Sequence, residues 1–152
     1  MLWDRGEADG YAHHLTDDPL RDTPSHEVLM IEAFGDHQVA NIATETEART
    51  AGIPVRQPAL GPGRSTHVDP LWDIPAVPSD PYDGSALVMW DYGTPEPPDA
   101  DLPPRPPQYG QDPHGAGRAE TRVAFQALVF LFDHGYFVNV CERGPCVSDV
   151  LK

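Results

Sequence analysis

His26-Glu-Val-Leu-Met-Ile-Glu-Ala-Phe34-Gly35-Asp36-His-Gln-Val39 is the stretch on which the fold turns. Within it Val28, Leu29, Met30, Ile31, Ala33 and Phe34 form an almost unbroken apolar run, interrupted by Glu32 and ended by Gly35-Asp36. A strand with one wet face alternates polar and apolar residues. A short continuous run predicts instead a strand covered on both faces, as in a parallel sheet. In residues 39–51, Val39, Ile42, Ala43, Thr46 and Thr50 recur at three-to-four spacing, with Glu45, Glu47 and Arg49 between them. This predicts a helix with its apolar stripe on the sheet and its charges outward, stopped at Gly52 and Pro54.

On the amino-terminal side, residues 1–25 mix Leu2, Trp3, Tyr11 and Leu15 with many charges and read as a lead-in segment. On the carboxyl-terminal side, residues 53–84 are rich in proline and glycine and show no period, so they read as a long irregular connection. Ser85-Ala-Leu-Val-Met-Trp-Asp91 then gives a second buried-strand signal, expected to lie parallel to the first. A second proline-rich stretch, residues 94–108, leads to Asp112-Pro-His114-Gly. Residues 118–134 are the clearest helix, with Val123, Ala124, Ala127, Leu128, Leu131 and Phe132 on one face and Gly135 at its stop. Residues 136–140 suit a short terminal strand. The fold class is therefore α/β, with a main domain over 26–140 and a tail over 141–152.

The whole chain, at 152 residues, is the size of one ordinary domain. Only 39% of it is hydrophobic, against 18 prolines and 13 glycines, so the core must be concentrated in a few segments. A formal charge of -14, from 24 acidic and 10 basic side chains, repels phosphate backbones and anionic lipid surfaces. On that ground neither nucleic acid nor membrane is expected as a partner. No stretch approaches the roughly 20 apolar residues of a membrane span, and the acidic amino terminus carries no export signal. Cys141 and Cys146 flank Glu-Arg-Gly-Pro, a turn that allows either a small disulfide loop or two free thiols.

Abundant carboxylates suit hard cations such as Ca2+. The candidate ligands are Asp80 and Asp83 in Ser79-Asp-Pro-Tyr-Asp-Gly84, with Asp99 and Asp101 in Pro98-Asp-Ala-Asp-Leu. Neither pair has the spacing of the roughly twelve-residue calcium loop, and turn formation is the competing role for both. His13-His14, near Asp17 and Asp18, offers transition-metal ligands, although adjacent histidines on a helix point in different directions.

The segment Ile31-Glu-Ala-Phe-Gly-Asp36-His-Gln-Val39 resembles the late strand of an α/β-hydrolase, where Gly-Asp leads into a helix. Asp112-Pro-His114-Gly resembles that family's histidine loop, and the helix after it the last helix packed on the sheet. The resemblance covers residues 26–135 and implies a partial α/β-hydrolase-like parallel sheet with flanking helices. It also implies that Asp36 is the catalytic acid and His114 the base, in the family's order along the chain. The chain departs from the family in lacking Gly-x-Ser-x-Gly. Its nearest match, Gly63-Arg-Ser65-Thr-His67, lacks the last glycine and does not follow a strand.

Two functions follow as expectations. One is a hydrolase of carboxylic esters or lactones, with Asp36 and His114 activating water and calcium assisting. The chain also resembles, in size and acidity, small lactonases that open acyl-homoserine lactones. The other is a non-catalytic hydrolase remnant that binds a partner or itself. Two strands and two long helices leave a strand edge and an apolar face open, so a homo-oligomer is expected under either function.

Overall fold

A computed structural model describes residues 10–96, 98 and 108–152. The apolar run forms strand β1 (Leu29–Ala33), and the second run forms β3 (Ala86–Asp91), in which all six residues are buried. They pair in parallel, with Leu29 opposite Ala86 and Ala33 opposite Trp90. Helix α1 (Asn41–Thr50) follows β1, and helix α2 (Thr121–Phe132) follows the histidine loop. Between the runs lies β2 (Tyr82–Asp83), and after α2 come β4 (Tyr136–Phe137) and β5 (Cys146–Val147). The main sheet has the order β1-β3-β5 and is parallel throughout, while β2 and β4 form a separate antiparallel pair. The architecture is thus a mixed α/β one, a three-stranded parallel sheet flanked by helices.

Because side chains on a strand point alternately to its two faces, β3 supplies two cores at once. Leu87 and Met89 join Phe34, Ala48, Ala51 and Ile53 on the α1 side. Val88 and Trp90 join Val123, Phe137, Cys141 and Cys146 on the α2 side. This double duty is why both runs lack polar alternation.

Several expectations need correction. Residues 53–84 are not wholly irregular: fully buried Val55 bridges Leu87 and Ala76, extending the sheet beside the start of β3. One strand-like residue between prolines leaves no periodic trace. The tail over 141–152 supplies β5 beside the end of β3, so it belongs to the sheet. A disulfide joins Cys141 to Cys146. Beside it, buried Arg56 donates to the carbonyls of Pro58 and Glu142 and to Asn139 Oδ1, at 2.9, 2.9 and 3.0 Å. Residues 136–140 pair with β2 over two positions only and never enter the main sheet.

The helix faces also differ from expectation. In α1 the buried residues are Glu45 and Ala48, whereas Val39 and Ile42 are exposed. Ala48 and Ala51 pack against the sheet, and Glu45, one turn earlier, shares their face. In α2 the buried stripe is Val123, Gln126 and Phe130, leaving Leu128, Leu131 and Phe132 exposed. A helix that is apolar almost all round does not announce its core face. Gln126 goes inside with its side-chain nitrogen donating to the Val138 carbonyl at 2.6 Å, while its Oε1 has no partner among the described residues.

Candidate functional site

The end of β1 is shaped by Gly35, whose φ of +78° suits glycine and where a Cβ would lie 2.9 Å from the Pro95 carbonyl oxygen. The turn delivers Asp36. Its Oδ1 accepts the amides of Gln38 and Val39 at 2.7 and 3.0 Å, which closes the chain back towards α1. Asn41, at the start of α1, accepts the Gly35 amide at 2.9 Å and donates to Glu32 Oε1 and the Ala33 carbonyl, both at 2.8 Å. The strand exit is therefore held from both sides.

A second loop supplies the histidine. Asp112 Oδ1 accepts the amides of His114 and His37 at 3.0 and 3.3 Å, and Oδ2 accepts Gln38 Nε2 at 2.8 Å. Burial works against ionisation of Asp112, but the donors from Gln38, His114 and His37 outweigh it and lower its pKa. One carboxylate thus staples the histidine loop to the aspartate loop. Downstream, the Ala116 amide donates to the Pro113 carbonyl at 2.9 Å and opens the 3-10 turn Ala116–Arg118.

The two loops bring His114 Nδ1 to 2.8 Å from Asp36 Oδ2, across 78 positions of sequence. The Asp36 side chain is 10% exposed and that of His114 36%, so the acid is sheltered and the base is open to water. Both line a cavity of about 190 Å³ whose other walls include Glu32, Asn41 and Tyr92. Residues from both faces of the sheet contribute to it, because it lies along the edge of β1 that β3 does not cover.

Glu32 is 3% exposed, and its Oε2 has no protein partner among the described residues. Burial, with Glu45 and then Asp36 as like charges, pushes it up to about 8 against the pull of its Asn41 hydrogen bond. It is therefore a neutral carboxylic acid at pH 7. Beneath Asp36 this matters, since a second fixed negative charge is avoided. The Tyr92 hydroxyl is pushed up to about 12, by burial and then by Glu120.

The other candidates lie elsewhere. Ser65 donates to Glu96 Oε1 at 2.6 Å, and neither residue lines the cavity of His114. Asp80 Oδ1 accepts the Asn139 amide at 3.0 Å, and Asp83 is exposed in β2. Asp99 and Asp101 lie outside the described residues. Glu32, Asn41 and Asp112 are the site residues that sequence reasoning missed. A lone acid inside an otherwise apolar run was the available sign for Glu32. No protein-family model, curated protein or solved structure matches this chain.

Proposed function

We propose that the chain hydrolyses carboxylic esters or lactones, with His114 as general base and Asp36 as the residue that orients it. The observation that carries this is the 2.8 Å contact between Asp36 Oδ2 and His114 Nδ1 at the wall of an open cavity. With Nδ1 engaged by the carboxylate, Nε2 is the nitrogen left to take a proton. Water gives that proton to Nε2 as its oxygen bonds to the carbonyl carbon. The tetrahedral intermediate collapses with cleavage of the bond to the alkoxy oxygen, which recovers the proton from Nε2. Asp36 stabilises the imidazolium between these steps. The α/β-hydrolase resemblance supports this assignment of roles, and the absent Gly-x-Ser-x-Gly is why water is written as the nucleophile.

General-base assistance of this kind is worth about 10²- to 10⁴-fold. Tag-free protein should hydrolyse an activated ester and an acyl-homoserine lactone above background, and His114→Ala and Asp36→Asn should each remove most of that rate. Turnover unchanged in His114→Ala would defeat the assignment. Calcium binding by Asp80, Asp83, Asp99 and Asp101 is a separate expectation, and repeating the assay with a chelator measures whether it bears on the rate.

One observation favours the second function, a non-catalytic self-associating module. Phe125, Leu128, Leu131 and Phe132 are all exposed on α2, and apolar groups gathered on one surface mark interfaces. No turnover of any ester or lactone, with concentration-dependent assembly, would select this alternative.

A further inference from the structure

Tyr11-Ala-His13-His14-Leu-Thr-Asp17-Asp18 lies apart from the cavity of His114 and holds a different constellation. A 3-10 turn, Ala12–His14, rotates successive side chains by about 120°, so neighbouring histidines should diverge. Their ring centroids are nevertheless 4.0 Å apart, with the planes tilted by 40°. The chain then folds back: the Asp18 amide donates to the His13 carbonyl at 3.0 Å and brings Asp18 beside His14. His14 Nδ1 lies 2.5 Å from the Asp18 carbonyl oxygen and 3.5 Å from its carboxylate Oδ2. One nitrogen of each imidazole and one oxygen of Asp18 lie within 4.8 Å of one another, and among the described residues no other histidine, cysteine and carboxylate group gathers in this way.

The loop is also anchored before any ligand arrives. Ala12 is buried in the core, Thr16 Oγ1 donates to the Ala51 carbonyl at 2.6 Å, and the His26 amide donates to the Leu15 carbonyl at 2.7 Å. Ordering of the ligands is therefore largely achieved by folding, which favours affinity.

We propose that His13, His14 and Asp18 form a binding site for one divalent transition-metal ion of the zinc type. Two imidazoles and one carboxylate suit such a borderline-soft ion, whereas calcium takes about six to eight oxygens. Zinc bonds of about 2.0–2.1 Å at tetrahedral angles place ligand atoms about 3.4 Å apart. One ligand atom from each of His13, His14 and Asp18 already lies within 4.8 Å of the others, so closing to that edge shortens each separation by at most about 1.4 Å. Ligation takes neutral imidazole, so the proton on any ligating nitrogen passes to water as the metal binds. The chain's charge of -14 raises the local cation concentration. Thr16 ties the loop to Ala51, at the end of α1 remote from Asn41, and ten helical residues span about 15 Å. The ion would thus be held within the loop, at the end of α1 remote from Asn41 and separate from the hydrolytic cavity.

Isothermal titration of tag-free, chelator-treated protein with Zn2+ should show one saturable site per chain, and Co2+ should give the visible absorption of a tetrahedral nitrogen and oxygen site. His13→Ala and His14→Ala should each weaken the Zn2+ Kd at least tenfold while leaving the far-ultraviolet circular dichroism unchanged. Zn2+ should raise Tm in the parent chain, and Ca2+ at the same concentration should not. Absence of a one-to-one site would overturn the proposal. So would a one-to-one site whose Kd neither substitution changes.

Discussion

Glu32 and His114 show how differently single residues declare themselves. Asp36 and His114 stand in short, recognisable contexts, Gly-Asp after an apolar run and Asp-Pro-His-Gly before a helix. Their approach to 2.8 Å depends on Asp112, whose hydrogen bonds to His37 and Gln38 cross between distant segments and leave no local pattern, and on Asn41, which ties the exit of β1 to the start of α1. Glu32 is legible only as an interruption, and its neutral state follows from burial and from Glu45, which the helix pattern had turned outward. The consequence can be measured. Its pKa is raised from 4.5 to about 8 in the folded chain, so the folded state binds a proton more tightly than the unfolded one. Its contribution to stability is greatest below pH 4.5 and is lost as pH rises towards 8. Glu32→Gln keeps an oxygen for Asn41 and removes the ionisation, so it should be more stable than the parent at pH 8 by on the order of 1–3 kcal/mol. The gap should close at pH 4.5. Urea unfolding at both pH values checks this, and an equal difference at the two would show that folding does not raise the Glu32 pKa.

Elements were legible where a run was buried on both faces, as in β1 and β3, and obscure where a contact is only one or two residues long. β5 is such a case: Cys146 and Val147 alone pair with Trp90 and Asp91, too little to produce a period. Its position is secured by bonds that no pattern reveals. Arg122, in the first turn of α2, donates to the Val147 carbonyl at 2.7 Å and to Glu120 Oε2 at 2.9 Å. Glu120 in turn caps α2 by accepting the Arg122 amide at 3.0 Å. The Arg122 hydrogen bond holds Glu120 down at about 2, against its burial. A lowered carboxylate stabilises the fold above its ordinary pKa of 4.5, and that contribution disappears as pH falls towards 2. Glu120→Ala should therefore cost about 1–2 kcal/mol at pH 7, the usual loss for a helix cap, and much less at pH 3. A cost that stays constant between those pH values would separate the cap from the ion pair. Opening the Cys141–Cys146 disulfide frees the segment leading into β5. For so short a loop, reduction should cost about 2 kcal/mol, seen as a lower Tm.

At the scale of the whole molecule, the question is what covers the surfaces that the small sheet leaves open. Among the described residues β1 pairs only with β3, so its outer edge remains free beside the cavity. On the α2 side, Leu131 and Phe132 are 73% and 79% exposed. From Val123 to Phe132 the helix carries no charge, although the chain as a whole carries -14. That face is therefore where two copies can meet without setting carboxylate against carboxylate. Phe125, Leu128, Leu131 and Phe132 together offer roughly 400–600 Å² per copy, less than the about 800 Å² of a standard specific interface. Association should accordingly be weak, visible by sedimentation equilibrium at tens of micromolar or above. The long-range term opposes it, because two bodies of like charge repel beyond the contact. Raising the salt from about 0.05 to 0.5 M shortens the screening length several-fold and should tighten the dimer. An assembly held by ion pairs would loosen instead. Leu131→Glu with Phe132→Glu puts four carboxylates into the proposed interface and should give a monomer at every concentration, with helix content unchanged because both positions face water. A parent chain that stays monomeric at high concentration and high salt would leave the apolar face of α2 without a second copy to cover it, and the self-associating module would fall with it. Hydrolysis by such a monomer, independent of dilution, would then place the whole function in the cavity at His114 of one chain.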